Sequence, residues 1–159
     1  MRVLVLFALA ATLFAADDKY SGPRPTKPDL PYLLNANKLV PTEQAEAKET
    51  TGKKDLITYV ISGASSSAKT PMAEPIFLIE TSKLNVNSFE LYKLDVKNGN
   101  REITLANGRR SKGGPKPLKL TVQRVADHLY RIEAGEGLEN GQYSLSPSDS
   151  NQAFCFEVF

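Results

Sequence analysis

The densest group of chemistry-bearing residues is the stretch NGRRSKGGPKPLK, residues 107–119. It places five basic side chains in thirteen positions with three glycines, two prolines and no acid. Arg109, Arg110 and Lys112 crown this segment, and Lys116 and Lys119 flank its exit. Guanidinium and ammonium groups on a glycine-rich backbone suit an anion, because glycine lets the main chain approach a ligand closely. These five residues form the candidate binding site. A solvated loop that keeps a sheet edge from pairing is the plainer use of the same residues. The segment is no phosphate loop: Gly108 and Gly113 flank four residues, but Gly114 stands where the lysine belongs. Pro115 and a strand-like run replace the helix whose N-terminus would hold the phosphate.

Other reactive residue types lack the company they need. Ser66-x-x-Lys69 has the spacing of serine acyl-transfer enzymes, but that chemistry needs the serine at a helix start and further S-D-N and K-T-G elements. Here SDSN is out of register, and Pro71 follows in a serine-rich connection. His128 is the only histidine and falls in the turn VADH, where exposure is expected. Cys155 is the only cysteine, so no internal disulfide can form. In AFCFEVF it shares a strand face with Glu157 and Phe159 while Phe154, Phe156 and Val158 share the other, and a small, semi-buried apolar role is expected. An activated thiol or an intermolecular disulfide is the alternative. One histidine and one cysteine do not make a zinc site. Glu133, Glu136 and Glu139 are spread across a glycine-containing loop, not paired as glycosidase carboxylates are. Asp149 and Asn151 lack the spacing of a calcium loop. No catalytic residue, metal site or cofactor is therefore expected.

The elements that carry these residues begin with an export signal. Met1 to Ala16 place Arg2 before the apolar run VLVLFALAATLFA and end in small residues. The run falls short of the ~20 residues of a membrane-spanning helix, and no later stretch reaches that length. A secreted or periplasmic mature chain is expected, with no transmembrane segment; an uncleaved anchor is the alternative. Residues 17–54 carry most of the prolines near their start and read as a Pro-rich tether. Within it, YLLNANKLV could form a short strand, and Thr42 could cap a brief helix through EQAEAKE.

From residue 55 to 159 the pattern turns to short β-rich runs punctuated by turn residues. LITYVIS (56–62) and IFLIET (76–81) read as central strands buried on both sides. FELYKLDV (89–96) shifts hydrophobic phase, which suggests a bulge near Leu91 and Tyr92, and KNGN supplies a hairpin turn into 101–105. Runs at 118–122, 129–134, 142–146 and 153–159 complete seven or eight strands. The fold class is all-β: an antiparallel β-sandwich, with immunoglobulin-like topology first and a small closed β-barrel second. An outer-membrane barrel is disfavoured, because counting back by twos from Phe159 gives Glu157, Cys155 and Ala153 rather than lipid-facing residues.

Charge is nearly balanced in sum but uneven along the chain. Residues 17–102 carry twelve of each sign, 103–126 six basic residues and no acid, and 127–159 six acids with Arg131 alone. The balance gives no general pull toward nucleic acid. The expected function is a non-catalytic module that binds or scaffolds another macromolecule, with an anionic envelope component as the partner of the basic loop. The alternative is an accessory or hydrolytic domain whose polar site assembles from GASSSAKTP, NGRRSKGGPK and SPSDSNQ.

Overall fold

The computed structural model describes residues 20–52, 56–106, 114–148 and 150–159. In chain order the strands are β1 (Tyr32–Asn35), β2 (Lys38–Pro41), β3 (Glu43–Glu46), β4 (Lys48–Thr51), β5 (Leu56–Ser62), β6 (Lys69–Thr70), β7 (Ile76–Glu80), β8 (Phe89–Lys97), β9 (Asn100–Ala106), β10 (Leu120–Ala126), β11 (Leu129–Ala134), β12 (Gly141–Pro147) and β13 (Gln152–Val158). The runs expected from residue 55 onward are β5 and β7 through β13. Asn98 and Gly99 take φ of 50° and 75° in the β8–β9 turn, the positive values a two-residue hairpin demands.

The stretch expected to be a tether is built differently. From Tyr32 to Thr51 the chain forms four strands, and the brief helix after Thr42 is replaced by β3 and β4. YLLNANKLV is a hairpin, with Asn35 opposite Lys38 and β1 pairing also with β7. Leu33 in its first strand is fully buried, so the folded unit includes this hairpin and does not begin near Asp55.

The strands form two antiparallel layers. One is a five-stranded sheet in the order β10-β11-β7-β1-β2; the other is eight-stranded, in the order β3-β13-β12-β8-β9-β5-β4 with β6 beside β13. Between the layers lies the larger core. Phe77, Ile79 and Ile132 from the first sheet meet Phe89, Leu91, Tyr143, Leu145, Phe154 and Phe156 from the second. Phe156 packs edge-on against Phe77 at 5.1 Å and stacks on Tyr143 at 5.5 Å. Such ring pairs add ~0.5–1.5 kcal/mol each beyond the area they bury.

With five and eight strands, the sheets exceed the four and three of an immunoglobulin constant-type sandwich, and the larger one also curls. Its two end strands, β3 and β4, are separated only by Ala47. They are halves of one bent run that pairs with β13 at one end and with β5 at the other. The sheet thereby closes round on itself into a barrel-like cup, and sandwich and barrel coexist on the shared strands β8, β12 and β13. Their convex faces meet the five-stranded sheet, while their concave faces hold a second, smaller core. That core contains Ala47, Ile61, Leu94, Ala153 and Cys155, with Tyr59 and Ile103 packed against it.

Double burial explains the phase shift in β8. Its register with β12 runs unbroken from Phe89 opposite Pro147 to Leu94 opposite Gln142, so no bulge interrupts it at Leu91 and Tyr92. Phe89 and Leu91 serve the sandwich core and Leu94 serves the cup. A register shift does occur in β10, between Arg124 and Ala126. β7 is central as expected. β5 is not buried on both sides: only Ile61 is buried along it, because its outer face contributes nothing to the sandwich core.

Candidate functional site

The concave face of the curled sheet holds a cavity of about 550 Å³. Period-two alternation decides what lines it. β5 contributes Ile57, Tyr59 and Ile61, β9 contributes Ile103 and Leu105, and β8 contributes Glu90, Tyr92 and Leu94. Facing this largely apolar wall is a hydroxyl- and amide-bearing one: Ser144 and Ser146 from β12, then Ser148, Ser150 and Asn151 from the loop to β13. Ala47 and Glu49 complete the circuit on the bent run. β8 and β9 pair only over Asp95–Lys97 and Asn100–Glu102, and Leu91 instead bridges to Leu118. The two strands therefore part toward the mouth, and the cavity lies between their separated ends.

A polar floor closes the opposite end. Arg101, 1% exposed, projects from β9 and grips Glu43 on β3 through two hydrogen bonds of 2.9 and 2.7 Å. The same guanidinium donates to the carbonyls of Gly63 and Ser62, each at 2.9 Å. Gly63 takes φ of 87°, a conformation that glycine adopts without strain, to aim that carbonyl inward. Burial pushes the Glu43 carboxyl up, but the hydrogen bonds from Arg101 and Ser66 and the Arg101 charge outweigh it and hold the group below its ordinary range. Beside this pair, Glu157 accepts from Ser65 at 2.5 Å and meets Lys69 at 3.0 Å. Hydrogen bonds from Ser65, Gln142 and Lys69 bring its carboxyl down to about 2.

At mid-depth the side chains are quieter. Cys155 is fully buried, and burial pushes its thiol up to about 11. The Ser144 and Ser146 hydroxyls bond each other at 2.6 Å. Tyr92 donates to Glu90 at 3.2 Å, and burial together with the Glu90 charge raises the phenol to about 12.

The residues singled out from sequence are distributed otherwise. Arg109, Arg110 and Lys112 lie outside the described residues, as does Asp149. Lys116 and Lys119 are exposed, and the Lys119 main-chain N–H donates to Glu136 at 3.4 Å. Two carboxylates that could have neutralised the basic loop are engaged elsewhere: Glu133 with Arg131 and Glu139 with Lys93. Ser66 is buried in the floor, where its main-chain N–H donates to Gln142 and its hydroxyl accepts from Ala68. Lys69 is instead paired with Glu157, so the serine–lysine spacing serves the barrel floor. His128 sits exposed at φ of 55° in the β10–β11 turn.

Two of the loops invoked for a composite polar site do not converge. GASSSAKTP closes the floor, whereas SPSDSNQ lines the mouth; Arg101 and Leu105 mark the two ends on β9, about 13 Å apart at ~3.3 Å per residue. One signal in the sequence did mark the cup. Ser144, Ser146, Ser148 and Ser150 recur every second residue opposite the apolar Tyr143 and Leu145, the pattern of a strand with one core face and one hydroxylated face.

Fold and site together define a β-sandwich whose larger sheet forms a blind-ended cup. No protein-family model, curated protein or solved structure matches the chain.

Proposed function

We propose that the protein is a non-catalytic binding module, exported to a secreted or periplasmic location, whose ligand is a small amphipathic molecule held in the cup. The observation that supports this reading is the cavity of about 550 Å³ with one apolar wall and one hydroxyl-bearing wall. That volume and composition fall within the range of small-molecule sites, ~300–1,000 Å³. A macromolecule would engage the cup only through an inserted side chain or chain end. The hydrolytic alternative loses support because two of its loops, GASSSAKTP and SPSDSNQ, lie at opposite ends of the cup.

A homologous series of n-alkanols tests the proposal. If the chain enters the cup, affinity rises about fourfold per added methylene, following ~0.8 kcal/mol for each buried CH₂, and then levels off when the cup is full. Ser146→Phe fills the mouth and should abolish binding while leaving the melting temperature within a few degrees. Affinity without length dependence, or binding untouched by Ser146→Phe in a folded protein, contradicts the proposal.

The basic segment supports a separate surface interaction on charge alone. Arg109, Arg110, Lys112, Lys116 and Lys119 form an acid-free cationic run that would attract an anionic envelope polymer or lipid headgroup.

A further inference from the structure

Polarity in the cup changes across it rather than along it. On β5 and β9 the lining runs from Ile57 paired with Leu105, through Tyr59 paired with Ile103, to Ile61 opposite Arg101 at the floor. β12 lies across the cup from β5, with β8 and β9 between them in the sheet order. Its inward residues are polar over the same span. Gln142 accepts the Ser66 main-chain N–H at the floor, and Ser144 and Ser146 follow upward, opposite Tyr92 and Glu90 of β8. Ser144 is 5% exposed yet lines the cavity, and its hydroxyl is bonded to that of Ser146 at 2.6 Å. That mutual bond leaves lone pairs on both oxygens. A hydroxyl pair therefore stands partway down a cup whose far wall is hydrocarbon at the same depth.

Resting on the reading of the cup as a ligand site, we infer that its ligand is amphipathic from side to side: a hydrocarbon body with an uncharged hydroxyl partway along one edge. The hydroxyl bonds the Ser144–Ser146 pair, and the opposite edge lies on the isoleucines of β5 and β9. A head-to-tail amphiphile fits this lining less well. Its saturated chain would cover the two serines and shut water off from their spare lone pairs, a desolvation that returns no hydrogen bond. A hydroxyl at that level restores the bond, and it matches serine because each group both donates and accepts. On the other wall the same ligand buries methylene against Ile57, Ile61 and Ile103, which drives entry as for a plain alkyl chain.

The test measures the affinity of the full mature chain for octanol and for two isomers, 1,2-octanediol and 1,5-octanediol, which differ only in where the second hydroxyl sits. The 1,5-isomer should bind about fivefold tighter than the 1,2-isomer, the return on one hydrogen bond of ~1 kcal/mol. In a Ser144→Ala/Ser146→Ala double variant with wild-type thermal stability, the two diols should bind within twofold of each other, and octanol at least as tightly as to wild type. Ser146→Ala alone should remove part of the preference. Octanol and both diols failing to bind overturns the cup as a ligand site and this inference with it. Octanol binding, with 1,2-octanediol as tight as the 1,5-isomer or tighter, overturns the mid-depth hydroxyl and leaves the cup. A 1,5-preference that persists undiminished in the folded serine variants overturns its assignment to Ser144 and Ser146.

Discussion

Arg101 and Glu43 show how far a single residue pair governs the cup. Taking a guanidinium to 1% exposure is tolerable only because its hydrogen bonds are met by Glu43, Gly63 and Ser62. Removing one partner from such a pair costs ~3–5 kcal/mol, because the other charge is left buried without its counter-charge. Glu43→Gln should therefore destabilise by about that amount in denaturant melts. Arg101→Met should cost less, since the freed carboxylate is partly exposed and can rehydrate. Glu157 gives a pH signature. Its folded pKa, about 2, lies below the ordinary 4.5, so the unfolded chain takes up its proton first as pH falls. The stability Glu157 contributes is present above about pH 4.5 and is lost as pH approaches 2. A Glu157→Gln variant should melt below wild type at pH 7, with the gap narrowing under pH 4.5 and closing near pH 2. Cys155, buried and raised to about 11, should react with a disulfide probe only on unfolding; fast labelling of the native protein would show an open path to the thiol.

At the scale of elements, β13 and the bent run β3–β4 explain what local patterns reveal and hide. Strands β5 and β7 to β13 could be read from the sequence because apolar alternation and turn residues are local signals. The run from Glu43 to Thr51 could not, because its inward positions are Glu43, Ala45, Ala47 and Glu49. Small and charged residues stand there because a narrow barrel leaves little space and its floor is ionic, so the run lacks the branched residues that announce a strand. The cup itself is assembled from neighbouring strands whose residues lie far apart in the sequence, and only the phase shift in β8 and the alternating serines of β12 betray it. β13 buries both faces, and Phe156 meets two aromatic rings. Phe156→Ala should cost ~3–5 kcal/mol, whereas Cys155→Ser, on the cup face, should cost much less; equal melting temperatures for Phe156→Ala and wild type would contradict the packing. A chain truncated to begin at Asp55 loses the hairpin β1–β2, which covers β7, and the closing run β3–β4. It should fail to give a cooperative melt, and an intact cooperative transition would show these strands to be dispensable.

The whole molecule offers two candidate binding features: the cup, and the acid-free basic run that the sequence carries at residues 107–119. The two make separable demands. Replacing Arg109, Arg110 and Lys112 by serine should leave the melting temperature nearly unchanged and weaken salt-sensitive binding to anionic vesicles or polysaccharide. Equal binding by wild type and variant at low salt would leave the segment as a solvated connection. The central claim, that the curled sheet is a ligand cup, has a direct readout in the isoleucines. Ile57, Ile61 and Ile103 line the cup, while Ile76, Ile79 and Ile132 belong to the five-stranded sheet. Methyl NMR of isoleucine-labelled protein titrated with octanol should shift the first three signals saturably and leave the other three in place. Shifts confined to Ile76, Ile79 and Ile132, or no saturable shift at Ile57, Ile61 and Ile103, would contradict the account.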